Sequence, residues 1–148
     1  MRIALAADHA GYQLKDELAA WLRELGYEVQ DLGTNSAESV DYPRYGARLA
    51  RLVSTGAADR GIAVCGSGIG ISIAINREPH CRCARVDDPI SAALAREHND
   101  ANVLALGARL IGTDMAKACV SAFLGTDFAG GRHKRRVEQP SELLQDSD

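Results

Sequence analysis

The chain predicts an α/β domain: a five-stranded parallel sheet in the middle layer of three, helices on both faces, and one more helix at the C-terminus. Three observations lead there. Short apolar or β-rich runs alternate with segments of helical spacing along the whole length, the pattern of a parallel sheet covered on both faces. The first of those runs, Arg2–Ala7, reads as a buried strand. The 148 residues are 46 % hydrophobic and 25 % charged, the balance of one globular domain over 1–148 that can bury a core.

The elements follow in order. After the strand at Arg2–Ala7, Leu14, Leu18, Trp21, Leu22 and Leu25 keep helical spacing until Gly26 stops them. Tyr27–Leu32 is the second strand, ending at Gly33-Thr34-Asn35, and Tyr45, Leu49, Leu52 and Val53 mark the second helix. Arg60–Val64 is the third strand, with a helix over Ser67–Asn76. Cys81–Val86 is the fourth, followed by a helix at Pro89–Glu97. Val103–Leu106 is the fifth, followed by a helix at Met115–Leu124 and a last one from Arg132 towards Leu144. Gln145–Asp148 reads as a frayed tail. No internal repeat or low-complexity linker interrupts this Rossmann-like order.

In open parallel sheets, ligands bind outside the carboxyl ends of the strands. That rule gathers Asp8-His9, Gly33-Thr34-Asn35, Cys65-Gly66-Ser67 and Asp87-Asp88 on one rim. Glycines at 66, 68 and 70, around Ile69, let the backbone approach a ligand at a helix start, where N–H groups favour phosphate or a developing oxyanion. A Walker loop would need Gly-Lys-Ser/Thr here. A dinucleotide fingerprint would need a small residue at Ile71, although Asp87 stands where its acidic residue belongs. Nucleotide binding and a purely structural turn are the competing readings. Cys65 ends a strand at this loop, so the same N–H groups stabilise its thiolate as nucleophile or base. Its bland reading is packing. Cys81 and Cys83 alternate on one strand and read as core, as does Cys119.

His98 sits among Glu97, Asn99 and Asp100 at a helix end, where capping is the ordinary role. Arg132 to Arg136 are five basic residues in a row; on a helix Arg132 and Arg136 share a side and can clamp a phosphate, while Lys134 points away. With a net charge of −3, the chain favours a small anion over nucleic acid or an anionic membrane. No apolar run reaches the roughly twenty residues of a spanning helix. Neither a signal-peptide pattern nor a CxxC pair is present, so a reducing cytoplasm is expected.

Taken in order, DHAGYQLK (8–15), DYP (41–43), CGSGIGISIAINR (65–77), SAALAREHNDANVLALGARLIG (91–112) and GGRHKRRV (130–137) resemble ribose-5-phosphate isomerase type B, in the family that includes galactose-6-phosphate isomerase subunits. The resemblance implies an aldose–ketose isomerase working through an enediolate without metal or organic cofactor. Cys65 would be the base, Ser67 the proton shuttle between the two oxygens, and Gly66, Gly68, Ile69 and Gly70 the backbone cradle. His98, helped by Asp8, would open the furanose ring. Tyr42 and Asn99 would contact the sugar. His9, Arg132 and Arg136, joined by His133 and Arg109, would hold the phosphate. It further implies a homodimer, or a tetramer, with sites at the subunit boundary, so that some groups come from the partner. A subgroup of the family replaces the cysteine with a glutamate after the third glycine; Ile71 stands there, so the chain resembles the thiol type. Ser67 and Ile90, often threonine and tyrosine in the family, and the segment 78–88 depart from the usual pattern. They leave open ribose 5-phosphate or a four- or six-carbon phosphate (erythrose 4-phosphate, allose 6-phosphate, galactose 6-phosphate). The other alternative is a non-catalytic sugar-phosphate-binding subunit.

Overall fold

A computed structural model describes residues 1–146. The strands are β1 (Arg2–Ala7), β2 (Glu28–Asp31), β3 (Arg60–Cys65), β4 (Cys83–Arg85) and β5 (Val103–Gly107). The helices are α1 (Tyr12–Glu24), α2 (Tyr42–Ser54), α3 (Ile69–Ile75), α4 (Pro89–Glu97), α5 (Thr113–Leu124) and α6 (Arg132–Gln145). All strand pairs are parallel, in the order β2-β1-β3-β5-β4. The expected architecture is therefore present.

Alternation of side chains explains the layers. Ile3, Leu5, Ile62, Val64, Leu104 and Leu106 bury on one face with α1, α4 and α5. Ala4, Ala6, Ala63, Cys65, Val103 and Ala105 bury on the other, where α2 and α3 pack. Each fully buried Leu or Ile contributes about 1.5–3 kcal/mol relative to exposure. Both sides of the central strands are dry, which is why they read as unbroken apolar runs.

The edges are shorter than the sequence suggests. β2 is reduced to Glu28–Asp31 and β4 to Cys83–Arg85, each paired on one side only. Cys81 leaves the ladder because its N–H turns back to the Glu78 carbonyl at 3.0 Å. Cys81 and Cys83 nonetheless face the same α2/α3 core, and Cys119 is buried in the opposite one. α6 buries none of its residues. It continues through Gln145, so of the tail expected at 145–148 the first residue is helical and 147–148 lie outside the described residues.

The strand order reverses direction between β1 and β3: β2 follows β1 on one side, and β3 lies on the other. A crevice opens outside the carboxyl ends at such a switch point. Those two ends carry Asp8 and Cys65. Among the described residues, no helix is long and apolar enough to cross a membrane.

Candidate active site

Cys65 is the last residue of β3 and is almost fully buried. Gly68 donates its backbone N–H to Sγ at 3.1 Å. Gly68 holds φ 77, and a Cβ there would stand 2.9 Å from the Leu106 carbonyl carbon, so the turn that presents this N–H needs glycine. The Ile69 N–H is taken by Ser67 Oγ at 3.1 Å. Among the described residues, the N–H groups of Gly66, Ser67 and Gly70 have no protein acceptor.

The neighbours close round this loop. Arg109 donates its N–H to the Gly66 carbonyl at 3.0 Å, and its guanidinium lies 3.2 Å from where a Cβ on Gly66 would be. Tyr42, at the start of α2, lays its ring over Gly70, 2.7 Å from the corresponding point. Arg85 donates to the Ser67 carbonyl at 2.9 Å and pairs with Asp87. Nothing in the sequence marked Arg85, because its job is to hold a backbone carbonyl.

Asp8 lies beside the thiol loop, its N–H on the Val64 carbonyl at 3.2 Å. Its Oδ1 accepts the N–H groups of Ala10 and Gly11 at 3.0 and 3.1 Å. Among the described residues, no donor is bonded to Oδ2. His9 Nδ1 accepts the Val40 N–H at 3.1 Å, so in the neutral ring the proton sits on Nε2, available to donate to an anion. Asn35, expected on this rim, accepts from Lys15 Nζ at 3.0 Å, and both oxygens of Asp31 take the same ammonium at 2.7 and 2.8 Å. Lys15 is fully buried. The sequence signal existed: Lys15 stands three, four and seven residues before Leu18, Ala19 and Leu22, inside the buried stripe of α1.

The remaining expected residues are elsewhere. α4 runs antiparallel to the strands it connects, so His98, which caps its C-terminus, lies at the amino ends of the strands. Asn102, four residues later, holds the start of β3 through the Gly61 N–H at 3.0 Å and the segment before β4 through Arg82. Cys65 is at the far end of β3, four residues beyond Gly61 and on the order of 13 Å away at ~3.3 Å per residue. His98 stacks on His133, centroids 4.5 Å apart and planes 15° from parallel. Asn99 and Arg136 line one cavity of about 640 Å³ under α6, while Lys134 lines a different one. Burial, then His98, then Arg132 and Arg136 lower the pKa of His133 from its usual 6.5. One chain thus holds two separate groups: Asp8, His9, Tyr42, Cys65 to Gly70 and Arg109 on the carboxyl rim, and His98, Asn99, Arg132, His133 and Arg136 at the other end. The pairing of His98 with Asp8 does not occur within a chain.

Comparison with known proteins agrees over nearly the full length. A ribose-5-phosphate isomerase B of Escherichia coli (strain K12) is 49 % identical over 144 residues, covering 97 % of both chains. The solved structure of ribose-5-phosphate isomerase B from Clostridium thermocellum superposes with a TM-score of 0.96 at 48 % identity, covering 98 % of each chain. A D-erythrulose-4-phosphate isomerase of Pectobacterium atrosepticum is 38 % identical over 140 residues, 94 % of this chain and 92 % of that one. Residues 3–139 match the family described as Ribose/Galactose Isomerase, and with that match and these relatives the chain belongs to that family.

Proposed function

We propose that the chain interconverts ribose 5-phosphate and ribulose 5-phosphate, with Cys65 as the base. The observation that carries this is the thiol at the switch point of the sheet, held by the Gly68 N–H and set beside Asp8. The likeness to ribose-5-phosphate isomerase B supports the choice of substrate.

The chemistry needs few parts. The Cys65 thiolate takes the C2 proton of the open-chain aldose, and the electrons move to O1 as the enediolate forms. The unspent N–H groups of Gly66, Ser67 and Gly70 face the charge that appears only then, which is where such donors lower a barrier most. Ser67 Oγ relays the O2 proton to O1. The Cys65 thiol then returns its proton to C1, leaving the ketone at C2. His9 and Arg109 bind the anionic end from this rim.

Ring opening requires His98, which its own chain keeps at the opposite end. A homodimer answers this: one protomer supplies the Cys65 rim, and its partner supplies His98, Asn99, Arg132 and Arg136. Support comes from α6, none of whose residues is fully buried by its own chain and which leaves Leu143 and Leu144 exposed. Four free cysteines fit a reducing cytoplasm.

Ribulose 5-phosphate formation from ribose 5-phosphate, followed in chelator for wild type and Cys65→Ala, tests the reading. Turnover by wild type and collapse in the variant are expected. An unimpaired variant would remove Cys65 as base, and an inert wild type would move the assignment to a four- or six-carbon phosphate.

A further inference from the structure

Beyond the end of α4 stands Asp100, the only non-glycine residue with positive φ among the described residues, at φ 48. Glycine would hold that conformation more easily. A strained residue kept in place invites the question of what its side chain does. Here the answer is visible: Oδ1 accepts from Arg96 Nη1 at 2.8 Å and Oδ2 from Arg82 Nη2 at 3.2 Å. Arg82 Nε also holds the Asp100 carbonyl at 2.7 Å, and the Asp100 N–H closes the turn onto the Arg96 carbonyl at 3.2 Å.

The ties extend further. Arg96 is 3 % exposed, and its Nε reaches the Thr126 carbonyl at 3.2 Å. One carboxylate therefore joins the end of α4, the segment entering β4, and the connection from α5 to α6. The first carries His98 and Asn99, and the last leads to His133. A third guanidinium shares the corner: burial, then Arg96, lower the pKa of Arg60, and Asp100 opposes them. Without the carboxylate, Arg82 and Arg96 would lose the anion they share, and Asp59 alone would offset the like charge at Arg60.

We infer that Asp100 is a positioning residue for sugar-ring opening: by holding Arg82 and Arg96 it fixes the turn that places His98 against His133. The inference rests on the role proposed above for His98. That imidazole has little else to hold it, since its side chain is 41 % exposed and its ion-pair partner Glu97 is 3.8 Å away. Proton transfer demands hydrogen-bond reach, and a misplacement of about 1 Å can cost on the order of 10²-fold.

The test separates ring opening from isomerisation. Ribose 5-phosphate is mostly a furanose, whereas ribulose 5-phosphate stays open because its closing oxygen is phosphorylated. Asp100→Asn keeps a residue that tolerates positive φ but loses the charge, and Asp100→Gly removes the carboxylate with no backbone strain. With either variant, ribulose 5-phosphate formation should approach a plateau as enzyme concentration rises, where uncatalysed opening limits it and residual opening by a displaced His98, on the order of 10²-fold below wild type, adds only a shallow slope. The reverse reaction should stay linear in enzyme. Simple loss of folded enzyme would lower both directions without a plateau. His98→Ala, assayed alongside, should give the same plateau. If only His98→Ala reaches a plateau, the positioning role of Asp100 is refuted and that of His98 stands. If His98→Ala is linear in both directions, the ring-opening role fails and the inference falls with it.

Discussion

The backbone N–H of Gly68 points at the sulfur of Cys65 from 3.1 Å, across a turn that brings it to within a Cβ's distance of the Leu106 carbonyl. That contact gives the buried thiol a hydrogen-bond donor as well as packing partners. On the role proposed for Cys65, Cys65→Ser, which keeps the size but exchanges the thiol for a hydroxyl, should lower kcat by at least ~10²-fold with an unchanged melting temperature. Gly68→Ala should lower both activity and stability, by about 1–2 kcal/mol for the left-handed backbone alone, and should slow alkylation of Cys65 by iodoacetamide. An alkylation rate equal to wild type would show that the N–H does not activate the thiol.

Gly70 makes a different prediction. Its missing Cβ leaves room for the Tyr42 ring, which would otherwise lie 2.7 Å away. Tyr42 is 40 % exposed, so in Gly70→Ala the ring can swing outward at little cost in stability. Loss of the sugar contact proposed for Tyr42 should then appear as a higher KM and a kcat/KM lower by about tenfold, roughly the effect of one lost hydrogen bond. Steady-state kinetics beside thermal melting would check this; a large fall in melting temperature with normal kinetics would mean that the ring is needed for packing alone.

Which of these features could be read from the chain depends on how local their cause is. The central strands were legible because two dry faces leave no room for polar residues between Ile3 and Ala7 or between Ile62 and Cys65. β4 was legible in its place but not in its ends, because an edge strand of three half-buried residues carries little pattern. At the site, Asp8, Cys65 and the glycines announced themselves by standing at strand ends. His98 was recognised only by resemblance, and its distance from Cys65 follows from connectivity, since a crossover helix ends where the next strand begins. Lys15 left a trace as a cation on the buried stripe of α1. Asp100 left none, because its partners Arg82 and Arg96 meet only once the end of α4 lies beside the segment entering β4.

Lys15 gives the strongest stability prediction. Its ammonium is fully buried and shared by Asp31, Asp16 and Asn35, while Asp31 also caps the Gly33 N–H at 2.9 Å. Lys15→Met leaves carboxylates without their cation. Breaking a buried pair costs several kcal/mol, and the 22 % exposure of Asp31 places the expected loss at the low end, about 3 kcal/mol. Urea denaturation should show it. Lys15→Met combined with Asp31→Asn should recover part of the loss; additive losses would mean that the two groups do not stabilise each other.

Acid should weaken the fold in two stages. His133 has its pKa lowered from 6.5, by burial first and then by His98, Arg132 and Arg136. Asp88 is lowered from 3.8 by the Ser91 N–H and hydroxyl, and Asp59 by Arg2. In each case the unfolded chain takes up a proton more readily than the folded one, so stability rises with pH through this range. The contribution of His133 is complete above 6.5 and is lost as pH falls through its lower folded value. Those of Asp88 and Asp59 are complete above 3.8 and are lost below it. Melting temperature measured from neutral to acid pH should fall in both windows. His133→Asn should flatten the first and Asp88→Asn part of the second, and a first step that survives His133→Asn would have another origin.

Separation of Cys65 and His98 by the length of β3 makes a prediction about two chains together. If a site takes its thiol from one protomer and its histidine from the other, neither Cys65→Ala nor His98→Ala has a complete site as a homodimer. A mixed dimer has one: the Cys65 of the His98→Ala chain meets the His98 of the Cys65→Ala chain. Its other site lacks both groups. Random pairing of equal amounts puts about half of the chains in mixed dimers, so activity should return to about one quarter of wild type. Denaturing the two variants together and refolding them, against each refolded alone, measures this at enzyme concentrations low enough that free aldehyde carries no appreciable flux. No recovery, with mixed dimers demonstrated by differential tagging, would mean that the thiol and the histidine do not serve the same site.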